Sequence, residues 1–165
     1  MPQNKAIENE FIRLIQEHQG ILHKIGYTYA HYGTSKDDLY QEMVLQLWKS
    51  FPGFKGQAKF STWMYRVALN TAISLIRKKR IFIDVLNLPA VADDTIFTPE
   101  FSEDVKLLYK AIAQLNKIEK AIILLWLEEH PYQEIAETLG LSANNVSVRL
   151  VRIKEKLTKI MQSYQ

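Results

Sequence analysis

The stretch YQEIAETLGLSANNVSVRLVRIKEKL, at residues 132–157, predicts a helix-turn-helix. Ile135, Ala136 and Leu139 place small and apolar groups on one side of a short first helix. Gly140 ends that helix, because the tight turn needs a left-handed backbone that glycine adopts readily. Ser142 is placed to cap the second helix through its hydroxyl. This second helix carries one apolar stripe, formed by Val146, Leu150, Ile153, Leu157 and Ile160.

Another side of the second helix is polar and suits DNA recognition. Amide and guanidinium groups pair with the edges of adenine and guanine in the major groove. The candidate DNA-binding residues on this helix are Asn144, Asn145, Ser147, Val148, Arg149 and Arg152. The alternative is an ordinary helical hairpin with a solvated basic face. The agreement of turn, cap, apolar stripe and polar face favours DNA binding.

The size and charge of the chain indicate a small nucleic-acid-binding protein. It has 165 residues, 47% of them hydrophobic, which suits one domain or two small ones. Its net charge of +3 is unevenly distributed: residues 1–80 carry +6, residues 81–110 carry −4 and residues 111–165 carry +1. Two basic ends around an acidic middle indicate two nucleic-acid surfaces and a connecting segment that binds none.

The chain shows no sign of an oxidising compartment or of a membrane. It contains no cysteine, which excludes disulfides and thiolate metal sites and fits a cytoplasmic protein. The N-terminus lacks the apolar core of a signal peptide, and the apolar run at 121–127 is far too short to cross a bilayer. No membrane insertion is therefore expected.

Helical periodicity along the remaining sequence predicts an all-α fold, with two small helical domains joined by a flexible linker. Gly20 is placed to break or kink the first helix, and Thr34 or Ser35 to cap the second. Ser61 is placed to cap a long third helix. The predicted helices cover 9–32, 36–51, 61–80, 101–115 and 117–129, before the helix-turn-helix. Residues 81–100 have prolines and no helical period, so the domains are expected at 5–80 and 102–162, with a linker at 81–101.

The predicted helix at 61–80 has a second patterned side besides its core. Its core side is expected to hold Met64, Val67, Ala68, Thr71 and Leu75. The other stripe mixes an aromatic ring, guanidinium groups and an amide, which stack on bases, bind phosphate and read base edges. It comprises Trp63, Arg66, Asn70, Ile73 and Arg77, and the helix ends in the basic run Arg77, Lys78, Lys79 and Arg80. The alternative is that Trp63 belongs to the core and the basic run is a solvated helix end.

No constellation of catalytic residues is apparent. The four histidines are scattered, and Asp38 and Glu42 lack the Glu-x-x-His partner that carboxylate metal sites on helices use. There is no P-loop, no dinucleotide glycine motif and no G-x-S-x-G. We therefore expect a protein that is not an enzyme and that needs no cofactor or metal.

Three motifs together resemble bacterial RNA polymerase sigma factors of the extracytoplasmic-function class, within the sigma-70 family. SKDDLYQEMVLQLWKSFPGF resembles the family's core-polymerase-binding stretch, with its D-D-L-x-Q-E pattern. FSTWMYRVALNTAISLIRKKR resembles the helix that opens and reads the minus-ten element. The helix-turn-helix resembles the reader of the minus-thirty-five element. The motifs occur in the family's order and span most of the chain.

The resemblance implies a role for each motif. Core RNA polymerase would be bound by Asp38, Gln41, Glu42 and Leu45. The separated promoter strand and a flipped base would be held by Trp63, Arg66 and Asn70 with the 54–59 loop, including Lys55 and Lys59, while Arg77, Lys78, Lys79 and Arg80 would take phosphates. Promoter DNA, duplex and melted, and core polymerase are thus the implied partners, and an anti-sigma factor is a further candidate.

The sequence departs from the family at two points. Leu115-Asn116-Lys117 stands where the family often has a proline after the leucine, and Ser147-Val148-Arg149 stands where many members have Lys-Ser-Arg. Two other classes of protein share parts of the pattern. A helix-turn-helix regulator of duplex DNA without polymerase docking would not need the Trp63, Arg66 and Asn70 side of its helix, and a helical adaptor would bind protein only.

Overall fold

A computed structural model of the chain describes residues 2–30, 34–86 and 101–165, and only the backbone of residues 79–86. All regular structure in these ranges is helical, as the sequence predicts. The helices are α1 (Pro2–Glu17), α2 (Gln19–Tyr29), α3 (Lys36–Ser50), a short 3-10 turn (Phe51–Gly53), α4 (Phe60–Leu86), α5 (Glu103–Ile112), α6 (Lys117–Leu127), α7 (Tyr132–Leu139) and α8 (Ala143–Gln162).

Helices α2, α3 and α4 pack together and form the N-terminal domain, with α1 lying against α2. The core between them holds large apolar side chains with no solvent exposure, including Leu22, Ile25, Leu39, Met43, Leu47 and Met64. Ala68 and Ala72 of α4 are also fully buried, and their small side chains let the neighbouring helices approach closely. Phe11 of α1 closes one edge of the core against Trp48 and Phe51.

The helix boundaries confirm some local predictions and correct others. Ser35 caps α3, because its hydroxyl accepts a hydrogen bond from the Asp38 amide at 3.0 Å. The break in the first predicted helix falls at His18, whereas Gly20 lies inside α2. Helix α4 begins at Phe60, before Ser61, because the Lys59 carbonyl already accepts from the Trp63 amide.

Helix α4 also runs six residues further than the predicted end at residue 80, to Leu86. The first part of the segment expected to be a linker is therefore helical, and residues 87–100 lie outside the described residues. Both prolines of that segment lie in its later part, at 89 and 99, whereas the run IFIDVL at 81–86 contains none and is compatible with a helix.

The buried side of α4 is wider than expected. Met64 and Ala68 are buried as predicted, but Val67, Thr71 and Leu75 are only partly buried. Tyr65, Leu69, Ala72 and Ile76 are buried instead. Helix α4 also contacts α7 of the C-terminal domain. It therefore needs a second apolar side, which the prediction of one apolar stripe did not include.

The C-terminal domain comprises α5 to α8, with α8 packed against α5, α6 and α7. Asn116, where the resemblance implied a proline, caps the start of α6. Its side chain accepts from the Glu119 amide at 2.9 Å, and the Glu119 carboxylate accepts from the Asn116 amide at 3.2 Å. This reciprocal capping box ends the preceding turn without a proline.

The predicted turn of the helix-turn-helix is confirmed. Gly140 adopts a left-handed backbone with φ of 69°, and the Leu141 amide donates to the Ala136 carbonyl at 2.9 Å. Ser142 then caps α8 by accepting from the Asn145 amide at 3.1 Å. The apolar stripe of α8 faces the domain core, with Val146, Leu150, Ile153 and Leu157 buried.

The two domains are in contact. The Tyr29 hydroxyl of α2 donates to the Lys117 carbonyl at the start of α6 at 2.7 Å, and the rings of Tyr65 and His130 meet edge to face at 5.2 Å. Among the described residues, no helix combines the length and apolar character that a bilayer crossing demands.

We predict that Gly140→Ala destabilises the protein by about 1–2 kcal/mol, the cost of forcing an L-residue into the left-handed region. Space is not limiting, since a Cβ at this position would meet no atom within 4 Å. Gly20→Ala is the control: Gly20 is equally uncrowded but helical, so its replacement should stabilise by about 0.5–1 kcal/mol. Urea unfolding measures both, and equal shifts in the two variants would contradict the assignment of the turn.

Candidate nucleic-acid and polymerase interfaces

The polar side of α8 forms an open groove with the start of α6. Exposed side chains on this groove are Asn144, Asn145, Val148 and Arg152, and its volume is 620 Å³. Ser142, Arg149, Lys156 and Glu119 complete the lining. The structure thus brings together five of the six predicted reader residues on one face; the sixth, Ser147, is half-buried and does not line the groove.

Arg149 is held in place at the border between this groove and the N-terminal domain. Its Nε donates to the Asn145 Oδ1, one turn earlier, at 2.5 Å. The side chain also lines a cleft of 490 Å³ that includes Tyr29 and Ile76 of the N-terminal domain. Arg152 has the more open position, because its exposed side chain lies one turn further from that cleft.

A small pocket of 160 Å³ lies between α4 and the loop before it. Residues from both sides line it: Gly53, Phe54, Lys55, Gln57, Ala58, Thr62, Trp63 and Arg66. Lys55 and Lys59 of the loop are exposed, which leaves their charges available to a phosphate. The pocket therefore joins an aromatic ring, polar groups and cations within one concave site.

Trp63 is partly buried and fixed by other aromatic rings. Its ring centroid lies 5.0 Å from that of Phe54, 5.4 Å from Phe60 and 6.2 Å from Phe51. The indole is thus both a member of the aromatic cluster and part of the pocket wall. A ring held in this way loses little conformational freedom when a base stacks on its open side.

Asn70 lies in a different groove from Trp63, although both belong to the predicted stripe. This second groove, of 410 Å³, runs between α3 and α4 and includes Glu42, Gln46 and Lys78 besides Asn70. Glu42, expected on the polymerase-binding side, faces this groove and accepts from Gln46 Nε2 at 3.0 Å. Arg77 is exposed nearby, and the side chains of Lys79 and Arg80 lie outside the described residues.

An apolar groove of 560 Å³ lies between α1 and α3. Gln41 and Leu45 line it, as does Trp48, whereas Asp38 is exposed at the start of the same helix. Leu45 is 43% exposed and Ile12 of α1 is 44% exposed, so the groove presents neighbouring apolar side chains to solvent. The contribution of α1, through Asn4, Glu8 and Ile12, was not predicted, although the exposed position of Ile12 beside the buried Phe11 is a readable signal.

Two family models match the chain in order. The sigma-70 region 2 model matches residues 14–81, which include α2, α3 and most of α4. The sigma-70 region 4 model matches residues 106–157, which include α6, α7 and most of α8. Together they cover the pocket in front of α4, all of α3 and most of α8.

Related proteins and a solved structure agree with these matches. The ECF RNA polymerase sigma factor SigW of Bacillus subtilis is 23% identical over 94% of this chain and 90% of its own length. The RNA polymerase sigma factor YlaC of the same organism is 29% identical over 88% of each chain. The sigma factor RpoE of Bartonella quintana, solved in complex with the anti-sigma factor NepR, has the same fold: its TM-score is 0.74 at 18% identity, over 96% of this chain and 98% of that one.

We predict that Arg152→Ala weakens binding to the duplex DNA that α8 recognises. Loss of a phosphate contact should lower the slope of log affinity against log salt by about one, and loss of a base contact should relax specificity at one position by ~1–3 kcal/mol. Lys159→Ala removes the same charge from the last turn of α8, outside the groove, and is the matched control. Fluorescence anisotropy at several salt concentrations distinguishes a lost phosphate contact from a lost base contact. If Arg152→Ala and Lys159→Ala bound duplex DNA equally well, the assignment of Arg152 as a DNA-reading residue would be wrong.

Proposed function

Because this chain belongs to the sigma-70 family of RNA polymerase sigma factors and is related to its extracytoplasmic-function members, we propose a division of labour among its surfaces. The α1–α3 groove docks on core polymerase. Helix α8 reads duplex promoter DNA, and α4 with the preceding loop holds the opened strand.

The observation that carries this proposal is the polar and aromatic row on α4. Arg66 and Asn70 are exposed, and Trp63 lines a small pocket of 160 Å³. A regulator that reads only duplex DNA has no use for such a row. A protein that stabilises separated strands needs stacking surfaces and cations side by side, as here.

Strand opening follows from an exchange of stacking interactions. Unstacking and extruding a base costs a few kcal/mol. Stacking on a protein ring recovers ~1–3 kcal/mol per base, and the loop lysines and Arg66 add attraction to the phosphates. Because the ring cluster holds Trp63 in position beforehand, more of the stacking energy is available to the opened strand.

Docking on core polymerase follows from the exposed apolar side chains of the α1–α3 groove. Ile12, Leu45 and Trp48 would leave water on contact with a partner, which contributes roughly 25 cal/mol per Å² of apolar surface. Glu8 and Asp38 border this surface with negative charge. A helical partner surface with apolar and basic residues matches this arrangement.

A protein inhibitor is also part of the proposal. The Bartonella quintana sigma factor with the same fold is held by an anti-sigma factor, and this chain has the same two domains available. Affinity purification from its own cells, followed by mass spectrometry, tests for such a partner. Recovery of core polymerase subunits alone would count against an inhibitor.

Reconstitution of transcription is the test of the whole proposal. The purified chain is mixed with core RNA polymerase and fragments of the genome of origin, and run-off transcripts are mapped. We expect discrete start sites that core polymerase alone does not use. Duplex binding without any new start site would favour a helix-turn-helix regulator and overturn the sigma function.

We predict that Leu45→Glu weakens association with core polymerase at least tenfold, because a charge would then be buried in the apolar contact. Folding should be preserved, since Leu45 is 43% exposed. Lys49→Glu, one turn further along α3 and outside the groove, is the control and should retain full association. Co-purification and thermal melting are measured together, and a folded Leu45→Glu protein with normal association would exclude this groove.

We predict that Asn70→Ala slows promoter opening while duplex binding and stability stay near wild type. Truncation of an exposed side chain changes stability by about 0.5 kcal/mol or less. Gln19→Ala, which truncates an exposed amide on α2 that lines neither groove of α4, is the control. Permanganate reactivity of promoter thymines measures opening, and a wild-type rate for Asn70→Ala would exclude its role. Trp63→Ala is less informative, because its loss from the ring cluster is also expected to destabilise the domain.

A further inference from the structure

We propose that Val148 sets part of the sequence preference of the reader helix α8, by contacting the 5-methyl group of a thymine in the major groove. The inference rests on the proposed function only in taking α8 as the helix that reads duplex promoter DNA. It deepens that function, because it names the base that one side chain selects and the group by which that base is recognised.

Val148 faces directly away from the core of the C-terminal domain. Val146 and Leu150, two positions before and after it, are 0% and 1% exposed. At about 100° per residue, each of them lies about 160° around the helix from Val148, one on either side. Val148 is therefore the outermost position in this part of α8. It also lies near the start of the helix, the end with which recognition helices contact base edges.

Polar side chains surround this apolar one. Asn144, Asn145 and Arg152 are exposed and line the same 620 Å³ groove as Val148. Asn145 is held in place, because its Oδ1 accepts a hydrogen bond from Arg149 Nε at 2.5 Å. The amide and guanidinium groups can hydrogen-bond to base edges around Val148, whereas the methyl groups of Val148 can make only an apolar contact.

The bases differ in what they offer to such an apolar contact. Of the four, thymine alone carries an apolar group on its major-groove edge, the 5-methyl. Against the other bases, a valine would displace water from hydrogen-bonding groups without replacing the lost bonds, which is unfavourable. Against thymine it buries a methyl group, which is worth roughly a three- to fivefold gain in affinity. A valine at this position therefore selects thymine.

Neither core packing nor helix formation explains a valine here. The side chain is 43% exposed, so it adds little to the core of the domain. Valine is also a poorer helix former than alanine, lysine or glutamate, because its branched side chain loses rotamer freedom in a helix. Its methyl groups thus have no evident role until α8 meets a base pair. We therefore expect the preferred duplex to carry thymine at the base pair that faces Val148.

The first test selects duplex sites from a random library with the full-length protein. Wild type should enrich thymine about three- to fivefold over the other bases at one base pair of its site, and Val148→Ser should lose that enrichment there alone. Val151→Ser makes the same change at a position that is 58% exposed but does not line the groove, so this matched control should keep the wild-type preference. Both positions are exposed, so folding should be preserved, which thermal melting checks. A thymine preference that is unchanged in Val148→Ser would overturn the inference.

The second test removes the methyl group from the DNA and leaves the hydrogen-bonding groups of the base in place. The selected duplex is compared, by competition in fluorescence anisotropy, with the same duplex carrying deoxyuridine instead of the enriched thymidine. Wild type and Val151→Ser should bind the deoxyuridine duplex about three- to fivefold more weakly, whereas Val148→Ser should bind both duplexes equally. Equal binding of both duplexes by wild type would overturn the inference. So would a methyl effect that is lost in Val151→Ser and retained in Val148→Ser.

The role of Val148 and the sigma function fail in different ways. Methyl-dependent duplex binding by a protein that starts no transcripts with core polymerase would overturn the sigma function and leave the role of Val148 standing. Discrete start sites, with duplex binding that is indifferent to the methyl group, would do the reverse. A full-length protein that selects no duplex sequence would overturn both the reader assignment and the role of Val148.

Discussion

Helix α4 must fill a hydrophobic core and present a binding surface at once, and this constraint organises the molecule. Met64, Ala68 and Ala72 face α2 and α3 and are fully buried. Tyr65 and Ile76 are buried on the adjacent side, toward the C-terminal domain. Each large apolar side chain buried in this way contributes ~1.5–3 kcal/mol, so the helix cannot rotate without losing several of them. Only one side remains for polar groups, and it carries Arg66, Asn70 and Arg77.

The sequence predicts best those features that depend on a few neighbouring residues. The left-handed turn at Gly140 and the caps at Ser35 and Ser142 each follow from one side chain and its own backbone. The all-helical fold follows from repeated apolar spacing. The ends of helices are harder to predict, because periodicity indicates which side of a helix is buried but not the residue at which its backbone hydrogen bonding ends. The predicted start of α6 at residue 117 is confirmed, and the Asn116–Glu119 capping box, present in the sequence as N-x-x-E, gives its physical reason.

The grooves could not be predicted because each is formed by two elements whose packing against one another is not specified by the local sequence pattern. The predicted stripe on α4 lines two separate grooves, so that Asn70 shares a groove with Glu42 and Trp63 does not. The apolar groove beside Leu45 needs α1, whose own pattern gives no sign of which helix it meets. The contacts of Thr62 and Arg66 with α7 cross about seventy positions of the chain. Such pairings depend on tertiary packing, which the local pattern of a single sequence does not specify.

The two domains are held together by a mixture of aromatic and polar contacts. Tyr65 packs its buried ring against His130, and Tyr27 of α2 meets the rings of Phe101 and Tyr109. The polar contacts contribute less: a typical intramolecular hydrogen bond contributes ~0.5–1.5 kcal/mol net, and an ion pair as exposed as Lys24–Glu128 contributes about 0–1 kcal/mol. Because a fully buried large apolar side chain contributes ~1.5–3 kcal/mol, the aromatic rings supply the larger share of the attraction between the domains.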